Sequence, residues 1–77
     1  MKELNEIIGA NISFLRKNSK LTQLEFGNLF NYSDKMVSKW EKGLVVPSAE
    51  TIKKIADYFQ VSTYFIFTEH TDDFQIK

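Results

Sequence analysis

The sequence predicts an all-α domain of five short helices. Apolar residues recur at spacings of three and four along most of the chain, which is the pattern of helices with one buried face. Ser or Thr precedes four of these runs, where a side-chain oxygen caps the first N–H groups of a helix. Gly43 and Pro47 separate the third run from the fourth, because Gly ends helices readily and the residue before Pro disfavours the helical conformation.

The first two helices follow from spacing and capping residues. Apolar positions from Leu4 to Leu15 predict the first helix. Thr22 is the predicted N-cap of the second helix, and Glu25 three residues later completes a capping box. The second helix then continues for about two turns to Asn31, a residue type that tolerates the left-handed conformation of a turn.

Three serines are the predicted N-caps of the remaining helices: Ser33, Ser48 and Ser62. The third helix covers roughly residues 34–42 and ends at Gly43. Residues 44–47 are expected to be extended, since they lead into Pro47. The fourth helix has apolar residues on one face, and the fifth is short and ends near Phe67.

The second and third helices, joined by a short turn, form a helix-turn-helix unit. Gly27 lies in the middle of the second helix, where Gly costs about 1 kcal/mol relative to Ala. We interpret Gly27 as the point where the two helices approach closely, the alternative being a tolerated destabilising residue.

Composition and charge narrow the classes of function. The chain has room for one core, and ten Lys and Arg balance ten Asp and Glu, which by itself argues against a nucleic-acid partner. The charge is uneven, however, because residues 14–45 carry six cations against three acids. The absence of Cys excludes disulfides, CxxC zinc sites and thiol nucleophiles. Without a long apolar span or a signal-peptide pattern, a cytoplasmic protein is expected.

Enzyme chemistry is not expected from this sequence. The single His, His70, stands among Glu69, Asp72 and Asp73, and we interpret this stretch as a solvated acidic tail rather than a metal or acid–base site. The predicted organisation is a helical domain over residues 1–68 followed by the tail over residues 69–77. No catalytic residue, metal or cofactor is predicted.

A set of short elements is spread over residues 8–67: Ile12, Leu15-Arg16, Leu21-Thr22-Gln23, Phe26, Ser33, Val37-Ser38, Trp40-Glu41-Lys42-Gly43, Pro47, Thr51-Ile52, Ile55-Ala56 and Val61-Ser62. In this order and spacing, they give the segment a resemblance to the XRE family of helix-turn-helix DNA-binding domains, which includes the lambda-type repressors and Cro proteins. The resemblance implies a compact lambda-repressor-like fold and a sequence-specific regulator of transcription, expected to be a repressor, whose third helix enters the major groove of double-stranded DNA. The chain departs from the family at Gly27, Asn31 and Tyr32, where Ala, Gly and a small aliphatic residue are usual.

The third helix divides into a polar and an apolar side when its residues are placed at 100° intervals. An arc of about 140° contains the polar side chains Asp34, Lys35, Ser38, Lys39 and Lys42. Met36, Val37 and Trp40 fall on the other side, so we expect Trp40 in the core rather than stacked on a base. This division suits a helix that packs on one side and contacts DNA with the other, although an ordinary solvated face has the same pattern.

Site residues are assigned by their chemistry and their place in the helix-turn-helix unit. Candidates for contacts to base edges lie near the start of the third helix: Asp34, Lys35, Met36 and Lys39. Lys can donate to guanine O6 and N7, whereas Asp34 could accept from a cytosine amino group, repel phosphates or complement the helix dipole. Candidates for contacts to the DNA backbone, several by resemblance, are Arg16, Gln23, Ser38, Lys42 and Gly43. Glu41 is a plausible ion-pair partner of Arg16.

The fifth helix is apolar all round, and two arrangements account for this. Tyr64 and Phe65, together with Phe74 or Ile76, could cover a two-fold partner in a homodimer. Alternatively, the helix packs back on the first helix near Phe14. A second function class also stays open, in which the domain is a protein-interaction module such as an antitoxin or a docking domain.

Overall fold

The computed structural model describes residues 2–70, and Phe74 and Ile76 of the expected dimer surface lie outside these residues. Five helices follow one another: α1 (Leu4–Asn18), α2 (Gln23–Phe30), α3 (Asp34–Glu41), α4 (Ala49–Phe59) and α5 (Thr63–Phe67). The described part of the chain contains no strand, so the prediction of a five-helix, all-α domain is confirmed. None of the helices in this part combines the length and apolar character needed to cross a bilayer.

Side-chain caps begin four of the helices at the residues that the sequence predicts. The Thr22 hydroxyl accepts a hydrogen bond from the Glu25 N–H (3.0 Å), and the Glu25 carboxylate accepts one from the Thr22 N–H (2.8 Å). The three serine caps likewise accept from the third residue of their helices: Ser33, Ser48 and Ser62. Asn31 ends α2 in the left-handed conformation, with φ of 64°.

The connection between α3 and α4 differs from the extended segment expected over residues 44–47. Leu44 and Val45 form a bend, because their N–H groups are donated to the carbonyl oxygen of Lys39 (3.0 and 3.4 Å). Gly43, directly before the bend, has φ of 75°, which favours Gly. The bend leaves Leu44 exposed and Pro47 buried.

The core lies where α1, α3, α4 and α5 converge with the first half of α2. Its buried apolar residues come from all five helices: Ile8, Ile12, Leu15, Phe26, Val37, Trp40, Ile52, Ile55, Ala56 and Ile66. Trp40 is only 2% exposed, so its predicted place in the core is confirmed. The Tyr32 ring meets it edge-on at 4.8 Å between centroids, which packs the helix-turn-helix turn against the core.

Gly27 marks a close approach within the helix-turn-helix unit. A Cβ atom built on Gly27 would overlap the carbonyl oxygen of Tyr32 and lie 3.2 Å from the carbonyl oxygen of Ser33. The backbone that leads into α3 therefore passes directly over α2 at this position. This confirms the interpretation that Gly27 is required for close packing, with the contact made to the turn and the N-cap of α3.

The contacts of helix α5 with α1 include a pair of aromatic rings and a buried amide. The rings of Phe65 and Phe14 lie 6.5 Å apart, as expected if α5 packs back on α1. Asn11 of α1 donates its Nδ2 hydrogens to the carbonyl oxygens of Phe65, Ile66 and Thr68 at 2.8–3.1 Å. Tyr64, in contrast, is 74% exposed. The structure therefore brings Phe65 into the domain's own packing and leaves Tyr64 at the surface.

His70 contacts the helical domain although the sequence places it in the acidic tail. Its Nε2 lies 3.0 Å from the carbonyl oxygen of Phe65, and its ring centroid lies 4.4 Å from that of Phe65. Contacts with α5 thus continue to residue 70. Among the described residues, no group of three or more His, Cys, Asp or Glu side chains is arranged to hold a metal ion.

Candidate nucleic-acid interface

Helix α3 presents a polar surface, which we call the α3 outer face. It consists of Asp34, Lys35, Ser38, Lys39 and Lys42. All of these residues are exposed except Ser38, which is half-buried. The α3 outer face therefore carries three cations and one carboxylate, and no salt bridge among residues 2–70 involves its lysines.

The opposite side of α3 anchors the helix in the core. Val37 and Trp40 are buried there, as the angular arrangement predicts. Met36, a candidate for base contacts, is half-buried and packs against the core. The side chain of Met36 is thus shared between the domain interior and the surface, whereas Lys35 and Lys39 are exposed.

The first turn of α3 is fixed by two local hydrogen bonds. The Ser33 hydroxyl accepts from the Met36 N–H (3.1 Å), and Asp34 Oδ1 accepts from the Lys35 N–H (2.9 Å). Both N–H groups belong to the helix start, which has no intrahelical acceptors of its own. The Asp34 carboxylate is consequently held at the N-terminal end of the α3 outer face.

Arg16 and Glu41 form an ion pair that joins α1 to the end of α3, as the sequence suggested. Arg16 Nε lies 2.6 Å from Glu41 Oε2, and Arg16 Nη2 lies 3.0 Å from Glu41 Oε1. Arg16 Nη1 donates to the carbonyl oxygen of Leu21 (2.8 Å), just before α2. The hydrogen bond to Glu41 raises the pKa of the Arg16 guanidinium above its ordinary value. Three of the five N–H groups of Arg16 are therefore used inside the domain.

Gln23 joins the same network, which the sequence reasoning missed. Gln23 Nε2 donates to Glu41 Oε1 at 3.2 Å. The half-buried amide of Gln23 is thus directed toward Glu41 at the junction of three helices. The sequence identifies Gln23 at the start of α2 and Glu41 at the end of α3. It does not predict that they form a hydrogen bond, because that contact depends on the angle between the two helices.

The structure places Gly43, a candidate for backbone contacts, in the buried turn that follows α3. Its N–H is donated to the carbonyl oxygen of Trp40 (3.0 Å), and the residue is buried. Its carbonyl oxygen accepts a hydrogen bond from Asn5 Nδ2. Lys42, the preceding residue, is exposed at the C-terminal end of the α3 outer face.

The geometry described so far defines a helix-turn-helix protein. A family model described as helix-turn-helix matches residues 12–66, which include α2, the turn and α3. The chain belongs to this family, and the resemblance drawn from the sequence is confirmed. A curated relative, "Antitoxin PezA" of Streptococcus pneumoniae serotype 4 (strain ATCC BAA-334 / TIGR4), is 43% identical over 56 residues, 73% of this chain. The chain spans 35% of that relative's length.

Three solved structures share the fold. The SOS-response transcriptional repressor LexA from Eubacterium rectale matches with a TM-score of 0.83 at 21% identity, covering 99% of this chain and 81% of that chain. A hypothetical transcription factor, NHTF, from Neisseria matches with a TM-score of 0.77 at 21% identity, covering 87% and 77%. The clp gene regulator ClgR from Corynebacterium glutamicum matches with a TM-score of 0.76 at 22% identity, covering 84% and 69%.

Proposed function

We propose that this chain is a transcription regulator that binds double-stranded DNA sequence-specifically and acts as a homodimeric repressor by occupying an operator. In this proposal, α3 lies in the major groove and α2 lies across the DNA backbone, the usual docking of a helix-turn-helix unit. The names of the structural neighbours, which include a transcriptional repressor and a gene regulator, are consistent with this function.

The α3 outer face is the observation that carries the proposal. Its three lysines are exposed, and within residues 2–70 no carboxylate is paired with them. No internal ion pair therefore has to be broken before they contact an anionic partner, and counterion release from DNA favours the contact. Because Val37 and Trp40 are buried on the other side, α3 is held in one orientation relative to the rest of the domain.

Each candidate residue has a proposed role. Asp34, Lys35 and Lys39 read base edges, and Met36 contributes only the part of its side chain that the core leaves exposed. Contacts to phosphates come from Lys42 and Ser38, and from the N–H groups that Arg16 and Gln23 do not use within the domain. Gly43 is left out of the proposed set, because its N–H is donated to Trp40.

Binding to a labelled pool of random duplexes over a salt series tests the proposal. We expect affinity that falls steeply with salt, as for contacts to about three to five phosphates per subunit. Lys35→Ala and Lys39→Ala should relax base preference, whereas Gln23→Ala should weaken all sequences alike. Lys54→Ala on α4 is the matched control, since it removes one exposed cation that forms no salt bridge among the described residues. Absence of binding even at low salt would overturn the proposal.

The homodimer is proposed from the surface of α5. Tyr64 is 74% exposed and Phe67 is 40% exposed, so both are available to a two-fold partner. Tyr64→Glu should shift a dimer to a folded monomer in sedimentation at micromolar concentration, with an unfolding midpoint that no longer depends on protein concentration. Tyr58→Glu on α4 makes the same substitution at another exposed Tyr, whose ring contacts Phe30 and Phe59 of its own domain, and should leave the sedimentation unchanged. A wild-type chain that sediments only as monomer, with and without DNA, contradicts this part of the proposal.

The second candidate is a protein-interaction module such as an antitoxin or a docking domain. The observation that favours it is the 43% identity to a relative named as an antitoxin. The two candidates differ in their response to salt and to DNA. Undetectable duplex binding at low salt, with an intact fold, selects the interaction module. Steep salt dependence with sequence preference selects the DNA-binding regulator.

A further inference from the structure

Opposite charges stand side by side at the start of the α3 outer face. Asp34 and Lys35 are adjacent, exposed, and about 100° apart around the helix. Lys39 lies one turn further on, about 6 Å along the axis from Lys35 and on nearly the same side. An acceptor and two donors are therefore presented in a fixed order, with the carboxylate at one edge of the arc and Lys39 at the other.

A carboxylate in this position restricts what the start of α3 can contact. Asp34 Oδ1 accepts from the Lys35 N–H, which holds the carboxylate at the first turn instead of leaving it free to swing away. Against a phosphate it would be repelled by like charge, and above the O6 and N7 of guanine it would face only acceptors. In the major groove, the Asp34 carboxylate can accept a hydrogen bond only where a base presents an amino hydrogen.

We infer that α3 selects G·C pairs: Lys35 and Lys39 donate to O6 and N7 of two guanines about two base pairs apart, and Asp34 accepts from the N4 amino group of the cytosine that is paired with the first guanine. This inference rests on the proposed function and specifies the DNA that the same site recognises. It concerns the identity of the bases, which follows from the donors and acceptors of this chain and not from the fold.

The pattern of a G·C pair matches the pattern of these side chains. In the major groove, a G·C pair presents two adjacent acceptors and then one donor, whereas an A·T pair places its donor between two acceptors. The ammonium group of Lys35 can donate to the two acceptors of the G·C pair, and the neighbouring carboxylate of Asp34 can accept from its donor. Neither side chain then faces a base atom of its own hydrogen-bonding type. In the proposed docking, with α3 following the major groove, the spacing also fits, because about 6 Å along the helix corresponds to about two base-pair steps of 3.4 Å.

Site selection followed by base-analogue substitution tests the inference. Selection from a random duplex library with the wild-type chain should return half-sites with two guanines about two steps apart. Replacing the first guanine with 7-deazaguanine removes the N7 acceptor and keeps base pairing. We expect this to weaken the wild type by about 5- to 100-fold, the range for one specific base contact. The same replacement should weaken Lys35→Ala by less than about threefold, because the donor is already absent.

The remaining variants assign the other two contacts. Lys39→Ala should become insensitive to 7-deazaguanine at the second guanine only. Asp34→Ala should weaken the preference for G·C over the other base pairs at the first position while keeping the guanine at the second. Lys54→Ala should retain the base preference of the wild type at every position. Because Lys35, Lys39 and Lys54 are all exposed, the unfolding midpoints of the three Ala variants should match that of the wild type.

The outcomes separate this inference from the proposed function. Selection of A·T-rich half-sites, or an equal effect of 7-deazaguanine on wild type and Lys35→Ala, overturns the inference and leaves sequence-specific DNA binding intact. Failure to bind any duplex at low salt overturns the proposed function, and the inference with it.

Discussion

Glu41 Oε2 lies 2.6 Å from Arg16 Nε, and both side chains are largely removed from solvent, at 12% exposure for Arg16 and 9% for Glu41. The same carboxylate also accepts from Gln23, so one acidic side chain at the end of α3 is bound by residues of α1 and α2. The position of α3 relative to the other helices of the domain therefore depends on one charged group in addition to the apolar core.

Removing the Glu41 carboxylate should destabilise the domain strongly. Glu41→Ala leaves the Arg16 guanidinium without its anionic partner in a site that excludes most solvent, and we expect a decrease of about 2–4 kcal/mol in the free energy of unfolding. Urea denaturation at constant ionic strength measures this decrease. Lys53→Ala, which breaks the exposed Lys53–Asp57 pair of α4, is the matched control and should cost less than about 0.5 kcal/mol.

The double variant Arg16→Met/Glu41→Leu separates charge from packing. With both charges gone, no buried ion lacks a partner, so the double variant should recover most of the stability that Glu41→Ala removes. If Glu41→Ala is no more destabilising than Lys53→Ala, the ion pair does not hold α3 in place.

Gly27 should not tolerate a side chain, although it lies within a helix. Ala is the better helix former by about 1 kcal/mol, but its Cβ would overlap the Tyr32 carbonyl oxygen, a backbone atom that cannot move alone. We expect Gly27→Ala to lower the free energy of unfolding by about 1–3 kcal/mol. Thermal unfolding checks this, with Asn28→Ala at the exposed neighbouring position as control. The control should be neutral or slightly stabilising, and a Gly27→Ala variant that behaves like it contradicts the proposed close contact.

The helices and their caps could be predicted because their causes are local. The side chains of Thr22 and Glu25 each accept a hydrogen bond from the other residue's N–H group. Because the two residues are only three positions apart, this capping box can be recognised from the sequence. Asn31 could be assigned to a left-handed turn for the same reason. The polar and apolar sides of α3 also follow from spacing alone, as the burial of Val37 and Trp40 shows.

The contacts that the sequence did not reveal join residues far apart in the chain. Gln23 and Glu41 are eighteen residues apart, and Asn11 and Ile66 are fifty-five apart. Neither pair has a local pattern, because the first contact depends on how α2 packs on α3 and the second on how α1 packs on α5. The sequence leaves open for the same reason whether Phe65 covers a two-fold partner or packs internally, and in the structure its ring lies near that of Phe14.

Asn11 should be needed to keep α5 on α1. Its Nδ2 group donates to three carbonyl oxygens at the end of α5, and Asn11→Ala removes this donor from the buried carbonyl oxygen of Ile66, so we expect a cost of about 1–3 kcal/mol. Asn11→Asp should cost more at neutral pH, because a carboxylate has no hydrogen to donate and would face the same three oxygens. Hydrogen exchange of the α5 amides measures the effect. Equal protection in Asn11→Ala and wild type would show that the apolar contacts alone hold α5.

Lys42 should affect DNA affinity without affecting base preference. It is exposed at the C-terminal end of the α3 outer face, a turn away from the residues proposed to read bases, and is proposed to contact phosphate. Lys42→Ala should reduce the slope of log affinity against log salt by about 0.9 for each phosphate that the lysine neutralises, equally for selected and random duplexes. Lys54→Ala, with the same charge change on α4, should leave the slope within error of the wild type. A Lys42→Ala variant that changes the selected sequence would instead place Lys42 among the base-reading residues.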